Sequence, residues 1–342
     1  MTDASGFGKL VPRDTVSATK YLAAGDTHWF IRYHSHMLTP AFSSVACPDW
    51  TLDRIASAAA EYGYPAVELR TFGDGSLSFA HDPALTGTDK IRRIFGEVGV
   101  NIASLGTSIS FHHAVDPPVL GHAICDNEDT IRAARRAIDL AAAIECPLVR
   151  VFGFRLAGFG GRRATVERIA DRLSRVIDHA YNTGVRVMIE NGGDFSTATE
   201  LMEIIDAVGD VVKQSGQSQL LAVCYNVAVG QLAGEDSAAA INVLGNKLTA
   251  LRLKNVRDGR PVALDEPGDV NCRAAFDAAK LAGANVPVIF EWDRVWMKEM
   301  YPDLAPPEQV LPAACRTLFS WLAGAPNSAD ARNVRTTVQN IA

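Results

Sequence analysis

From about Pro40 the chain repeats one pattern: a short apolar run, a polar turn, then a longer segment with apolar residues three and four apart. Runs of the first kind fit strands covered on both faces, and the second spacing fits amphipathic helices. The pattern predicts strands at Ala41–Cys47, Pro65–Arg70, Asn101–Gly106, Pro147–Phe152, Arg186–Glu190, Leu220–Tyr225, Leu248–Lys254 and Val286–Glu291. It predicts helices at Thr51–Tyr62, Asp89–Val98, Asp129–Ile144, Val166–Asn182, Thr197–Val208, Asp236–Leu244, Cys272–Ala282 and Pro307–Ala323. In the fourth of these, Val166, Ile169, Leu173, Val176 and Ala180 make one apolar face.

Eight strands alternating with helices over about 250 residues match a (β/α)8 TIM barrel. A doubly wound open sheet is the rival; eight units and the absence of G-x-G-x-x-G favour the closed form. The expected organisation is an N-terminal arm (1–38), the barrel (39–324) and a C-terminal tail (325–342), the barrel closing on its last helix.

A net charge of −6 gives no basic footprint for nucleic acid, and no apolar run is long enough to span a membrane. The six cysteines form no C-x-x-C pair and read as reduced, buried thiols. MTDASGFGKLVPRD lacks the apolar centre of a signal peptide, so the expected location is cytoplasmic.

In such a barrel the C-terminal strand ends face one shared mouth. Here they carry Glu68 and Arg70, Ser108 with His112 and His113 beyond it, Arg150, Glu190, Asn226, Arg252 with Lys254, and Glu291. Glu190 and Glu291 stand out because each ends an apolar run with a carboxylate. Glu68, Arg70 and Arg150 read equally well as structural ion pairs. His112 and His113 are candidate bases or ligands, with solvated loop histidines as the bland alternative; His34 and His36 in the arm are weaker candidates. The loop Gly153–Arg163, with Arg155, Arg162 and Arg163, is a candidate anion site or lid. Trp292 and Asp293 are candidates for the mouth, and Cys224 reads as core.

Four stretches resemble the xylose-isomerase-like sugar phosphate isomerase/epimerase superfamily. They are ACPDWTLDRIASAAAEYGYPAVELR (46–70), RVMIENGG (186–193), LRLKNVRDGRPVALDEPGDV (251–270) and AAFDAAKLAGANVPVIFEWD (274–293). The resemblance spans roughly 40–324 and implies a barrel that holds one divalent metal with Glu, Asp, His and Glu. It also implies proton transfer between adjacent carbons of a sugar. Glu190 and Glu291 match the two family glutamates. In Cys224-Tyr225-Asn226-Val227-Ala228-Val229, Asn226 stands where the family has Asp, and Val229 where a histidine is common. In Arg252-Leu253-Lys254-Asn255, Arg252 stands where the ligand histidine belongs.

Arginine cannot ligate a metal and carries a fixed positive charge. The expectation is therefore that Arg252 replaces the ion and pairs with Glu190 or Glu291. No cofactor is expected, although Mn, Mg or Zn held by Glu190, Glu291 and Asn226 stays open. The implied activity is a sugar isomerase or epimerase with Glu190 and Glu291 as acid and base. Arg252, Lys254, Asn226, His112, Arg150 and Trp292 would contact a small sugar or polyol derivative. Two alternatives remain: a metal-independent lyase or dehydratase, and a non-catalytic ligand-binding barrel or subunit of a heteromeric enzyme. A homo-oligomer is open too.

Overall fold

The computed structural model describes residues 38–71, 87–112, 128–151, 154–156, 160–212 and 217–324. All of the arm but Leu38, the tail, His34, His36 and His113 lie outside this range. Barrel strands are β1 (Thr39–Ser43), β2 (Ala66–Arg70), β3 (Asn101–Gly106), β4 (Leu148–Val151), β5 (Arg186–Glu190), β6 (Leu221–Asn226), β7 (Leu248–Leu253) and β10 (Pro287–Phe290). They pair in parallel and close into one barrel in the order β1-β10-β7-β6-β5-β4-β3-β2. Around it run α1 (Leu52–Tyr62), α2 (Thr88–Glu97), α3 (Glu128–Ala143), α4 (Gly161–Ala180), α5 (Ala198–Val211), the short α6 (Val227–Leu232), α7 (Ser237–Leu244) and α8 (Cys272–Leu281). The one-turn α9 (Arg294–Met297) and α10 (Pro307–Leu322) complete the set.

Three departures from the sequence pattern have local causes. β1 ends at Ser43, whose hydroxyl accepts from Val45 N and turns the chain into a single 3-10 turn (Ser44–Ala46). α4 begins at Gly161, so Arg162 and Arg163 sit on its first turn and pair with Glu203 and Glu167. After β7 the chain makes an antiparallel hairpin, β8 (Asn255–Arg257) with β9 (Arg260–Val262), turning at Asp258 (φ 52°) and Gly259 (φ 77°).

Side chains alternate across a strand with period two, so every second residue enters the barrel. One interior layer is apolar and mostly small: Ala41, Ala66, Leu148, Met188, Ala222, Cys224, Ala250 and Ile289. Further along the same alternation come Ser43, Glu68, Arg150, Glu190, Asn226, Arg252 and Glu291, all buried. The barrel is thus apolar below and ionic toward the strand C-termini. A larger apolar core lies between strands and helices and includes Phe42, Leu69, Ile138, Leu173, Val187, Phe276 and Trp321. Cys47, Cys146, Cys224, Cys272 and Cys315 are buried free thiols. Among the described residues, no helix is long and apolar enough to cross a membrane.

Candidate active site

Arg252 is the centre of the ionic layer and is 0 % exposed. Its Nε donates to Glu190 Oε2 at 3.0 Å, its Nη1 to Glu291 Oε2 at 2.5 Å and its Nη2 to Glu68 Oε2 at 2.6 Å. One guanidinium therefore joins carboxylates from β2, β5 and the end of β10. Arg150 adds a bond to Glu190 Oε2 at 2.9 Å. Ser43 and Ser104 donate to Glu68 at 2.8 and 3.1 Å, so both oxygens of this fully buried carboxylate are occupied. Burial would raise the pKa of Glu68, but the Arg252 and Arg150 charges outweigh it and hold the group ionised. Burial likewise disfavours charge on Arg252, yet Glu190, Glu68 and Glu291 keep its pKa well above normal.

Two glycines let the chain reach this geometry. A Cβ on Gly106 would lie 3.0 Å from Arg150 Nη2 and 3.1 Å from Glu68 Cδ, so the end of β3 must be bare for these side chains to pass. At Gly193 (φ 60°), a Cβ would lie 2.2 Å from the Phe154 carbonyl oxygen, which fixes the turn after β5 against the β4 loop. Asn191 ties that turn to β6: its Oδ1 accepts from Asn226 N at 2.6 Å, and its Nδ2 donates to Asn226 O and Ser196 O.

Asn226 carries no charge. Its Nδ2 donates to Glu190 Oε1 at 2.9 Å and its Oδ1 caps α6 by accepting from Val229 N. Both ends of the amide are committed. With a guanidinium among the carboxylates and an amide N–H facing Glu190, the residues do not fit a divalent metal, which needs free oxygen donors. Among the described residues, no group of His, Cys, Asp and Glu is arranged to hold one.

Nearer the mouth, Lys254 Nζ bonds Glu291 Oε1 at 3.1 Å and Asp293 Oδ2 at 2.9 Å. These two acids differ. Burial would raise both, but Glu291 also faces Arg252, Lys254 and Arg150 and is held below the ordinary carboxylate range. Asp293 has Lys254 alone against burial and the Glu291 charge, and is pushed up to about 6. Lys254 is raised despite its burial by the Glu291 and Asp293 charges, so it is an ammonium donor and not a nucleophile.

Above the ionic layer opens a cavity of about 700 Å³ bordered by Arg70, His112, Arg150, Lys254, Asp293 and Trp296, with Glu190, Glu291 and Asn226 on its floor. His112 is half-buried on one wall, its Nδ1 against the Ser110 hydroxyl. Arg155 lies at the rim, exposed. Arg150, Glu190, Asn226, Arg252, Lys254 and Glu291 are thus brought together, and Arg252 binds both Glu190 and Glu291 rather than one of them. Trp292 is not among the cavity residues. It is buried beside Phe290 and donates from Nε1 to Ala305 O, while Trp296 of α9 stands at the mouth. Ser43, Ser104 and Gly106 carry no chemical signal of their own. Only their inward register, two residues from an apolar interior position or opposite an ionic one, points to them.

The closed parallel barrel, with charged residues from several strand C-termini converging at one mouth, defines the chain as an α/β-barrel protein. Residues 56–321 match the xylose isomerase-like TIM barrel, and the chain belongs to that family. No curated protein sequence matches it. Among solved structures it is similar to an L-ribulose 3-epimerase (15 % identity, TM-score 0.66, covering 86 % of this chain and 98 % of that one). It is also similar to the IOLI protein with a bound zinc atom (16 %, 0.65, 84 % and 99 %). The probable 3-DHS dehydratase AsbF of Bacillus anthracis is a third such structure (14 %, 0.64, 82 % and 99 %). At these identities the likeness is one of fold.

Proposed function

We propose that the chain is a proton-transfer enzyme for a small hydroxylated carbonyl compound, a sugar or polyol derivative, that works without a divalent metal. The observation that carries this reading is the division of the site into a locked half and a titrating half. Arg252 saturates the inner carboxylates, so Glu190 and Glu68 act as a fixed anionic frame. At the mouth, Asp293 titrates near 6, close to the optimum for a general base working around neutral pH. Lys254, charged and bonded to both acids, donates to the oxygen where negative charge develops during carbanion formation. Glu291 is the ionised partner that holds Lys254 in place. An isomerase, an epimerase and a dehydratase share the first step, removal of a proton next to a carbonyl.

The test is exchange of solvent deuterium at that carbon, followed by NMR across ketoses, keto acids and their phosphates. The expected result is exchange that persists in a chelator and is lost in Asp293→Asn. Exchange that requires added Mn²⁺, or full exchange in Asp293→Asn, would overturn the assignment. The complete neutralisation of the inner carboxylates also suits a barrel that only binds its ligand. Tight binding with no exchange for any bound compound would favour that second reading.

A further inference from the structure

Three of the four cations in and beside the ionic layer are held in ion pairs. Arg252 is matched by Glu68, Glu190 and Glu291, Arg150 by Glu190, and Lys254 by Glu291 and Asp293. Arg70, at the end of β2, has no ion pair among the described residues. The nearby Glu68 is already committed to Arg252, Ser43 and Ser104. Arg70 is only 4 % exposed, and among the described residues its Nε and Nη1 are buried without a hydrogen-bond acceptor. Among those residues its one side-chain bond runs from Nη2 to the hydroxyl of Ser108 at 3.0 Å, and its guanidinium lies 5.9 Å from the centre of the Trp296 ring. Burial and the facing Arg150 charge lower its pKa to about 9, the direction expected of a cation lacking a counter-ion. A buried guanidinium with open donors is costly unless something completes it, and Arg70 lines the cavity that would admit such a group.

We infer that Arg70, with Ser108 beside it, anchors an anionic group, a carboxylate or phosphate, carried by the ligand. This rests on the same cavity as the function proposed above, and it narrows the ligand class from any sugar or polyol to an anionic one. Arginine is suited to either oxyanion, because its planar fork of N–H donors matches both. The anion would sit on the β2–β3 side, leaving the hydroxylated part of the ligand over Asp293 and Lys254.

Calorimetric titration of the full chain with D-gluconate, D-glucitol 6-phosphate and neutral D-glucitol separates the sources. The phosphate ester binding more tightly than gluconate assigns the site to phosphate, and the reverse order assigns it to a carboxylate. In either case the preferred anion should bind at least about tenfold more tightly than D-glucitol, the scale of one charge-assisted contact. Arg70→Gln should remove that preference while the weak D-glucitol affinity stays. Arg70→Lys, which keeps the charge, should retain part of it, and thermal melting shows whether each variant is folded. Equal binding of anionic and neutral polyols, no anion binding at millimolar concentration, or an unchanged preference in a folded Arg70→Gln would overturn the inference. Failure of the function reading looks different: anion binding through Arg70 would persist while no bound compound exchanges deuterium.

Discussion

Replacing Arg252 with methionine is the sharpest perturbation this barrel offers. Methionine fills part of the arginine volume without its charge, leaving Glu68, Glu190 and Glu291 buried with only Arg150 and Lys254 to offset them. Removing one partner of a buried ion pair costs about 3–5 kcal/mol, and here a single cation serves three carboxylates at 2.5–3.0 Å. We therefore expect at least about 3 kcal/mol of destabilisation at pH 7.5, a fall in Tm of roughly 4 °C for a chain of 342 residues. The pH dependence gives the sign. In the native protein Glu68 and Glu291 are held below their usual pKa, so their contribution is fully present above about pH 4.5 and fades only as pH falls below it. In Arg252→Met the same buried carboxylates lose their main counter-charge and their pKa values rise, so the variant loses stability as pH climbs from 5 toward 8. The gap between the two proteins should be widest at pH 8 and shrink toward pH 5. Urea unfolding at both pH values measures it. A difference under about 1 kcal/mol at pH 8, or one that does not narrow on acidification, would show that Arg252 does not hold the cluster together.

Other expectations follow from the same geometry. Gly106→Ala places a methyl 3.0 Å from Arg150 Nη2 and 3.1 Å from Glu68 Cδ, so overpacking should cost about 1–3 kcal/mol in urea unfolding; no measurable loss would mean that these side chains have room to move. Asn226→Asp sets a second carboxylate against Glu190 in place of the amide that now donates at 2.9 Å, and should destabilise by about 1–3 kcal/mol at pH 7.5 and by less at pH 5. The Asp293 pKa, raised to about 6 from a normal 3.8, means the folded state binds the extra proton between those values. Ionising Asp293 should therefore lower stability by on the order of 3 kcal/mol as pH rises through that window, a slope that Asp293→Asn removes. Proton-exchange activity should rise over the same range with an apparent pKa near 6.

Much of the architecture was legible because the strands are apolar on both faces and are separated by helices of regular period. The ends of β5 and β10 were legible for the same reason, since Glu190 and Glu291 interrupt apolar runs. The pairing of Arg252 with Glu190 or Glu291 was expected from the sequence, but the third partner, Glu68, was not. Glu68 and Arg252 are 184 residues apart, and only closure of β1 on both β2 and β10 brings them to 2.6 Å. Trp292 shows how adjacency misleads: Glu291 faces inward, and the period of two turns the next side chain away from the mouth. Asp293, two places on, returns to it. The hairpin of β8 and β9 did leave a signal, the Asp258-Gly259 dipeptide, suited to a tight turn with positive φ at both positions.

Asn226 and Arg252 belong to one electrostatic solution. A guanidinium in the ionic layer needs carboxylates on several strands, and Glu68, Glu190 and Glu291 supply them. A fourth acid at 226 would press against Glu190 without reaching a new cation, because Arg150 and Lys254 are already engaged. An amide instead donates to Glu190 and keeps its oxygen for the N-terminus of α6, so a neutral residue meets both demands at once. With a divalent ion at the centre the preference would reverse, since a further carboxylate would then add a charged oxygen donor. The neutral Asn226 and the cationic Arg252 are thus two consequences of building the site around a fixed side-chain charge, and the proton transfer proposed above uses Asp293 and Lys254, nearer the mouth, for the same reason.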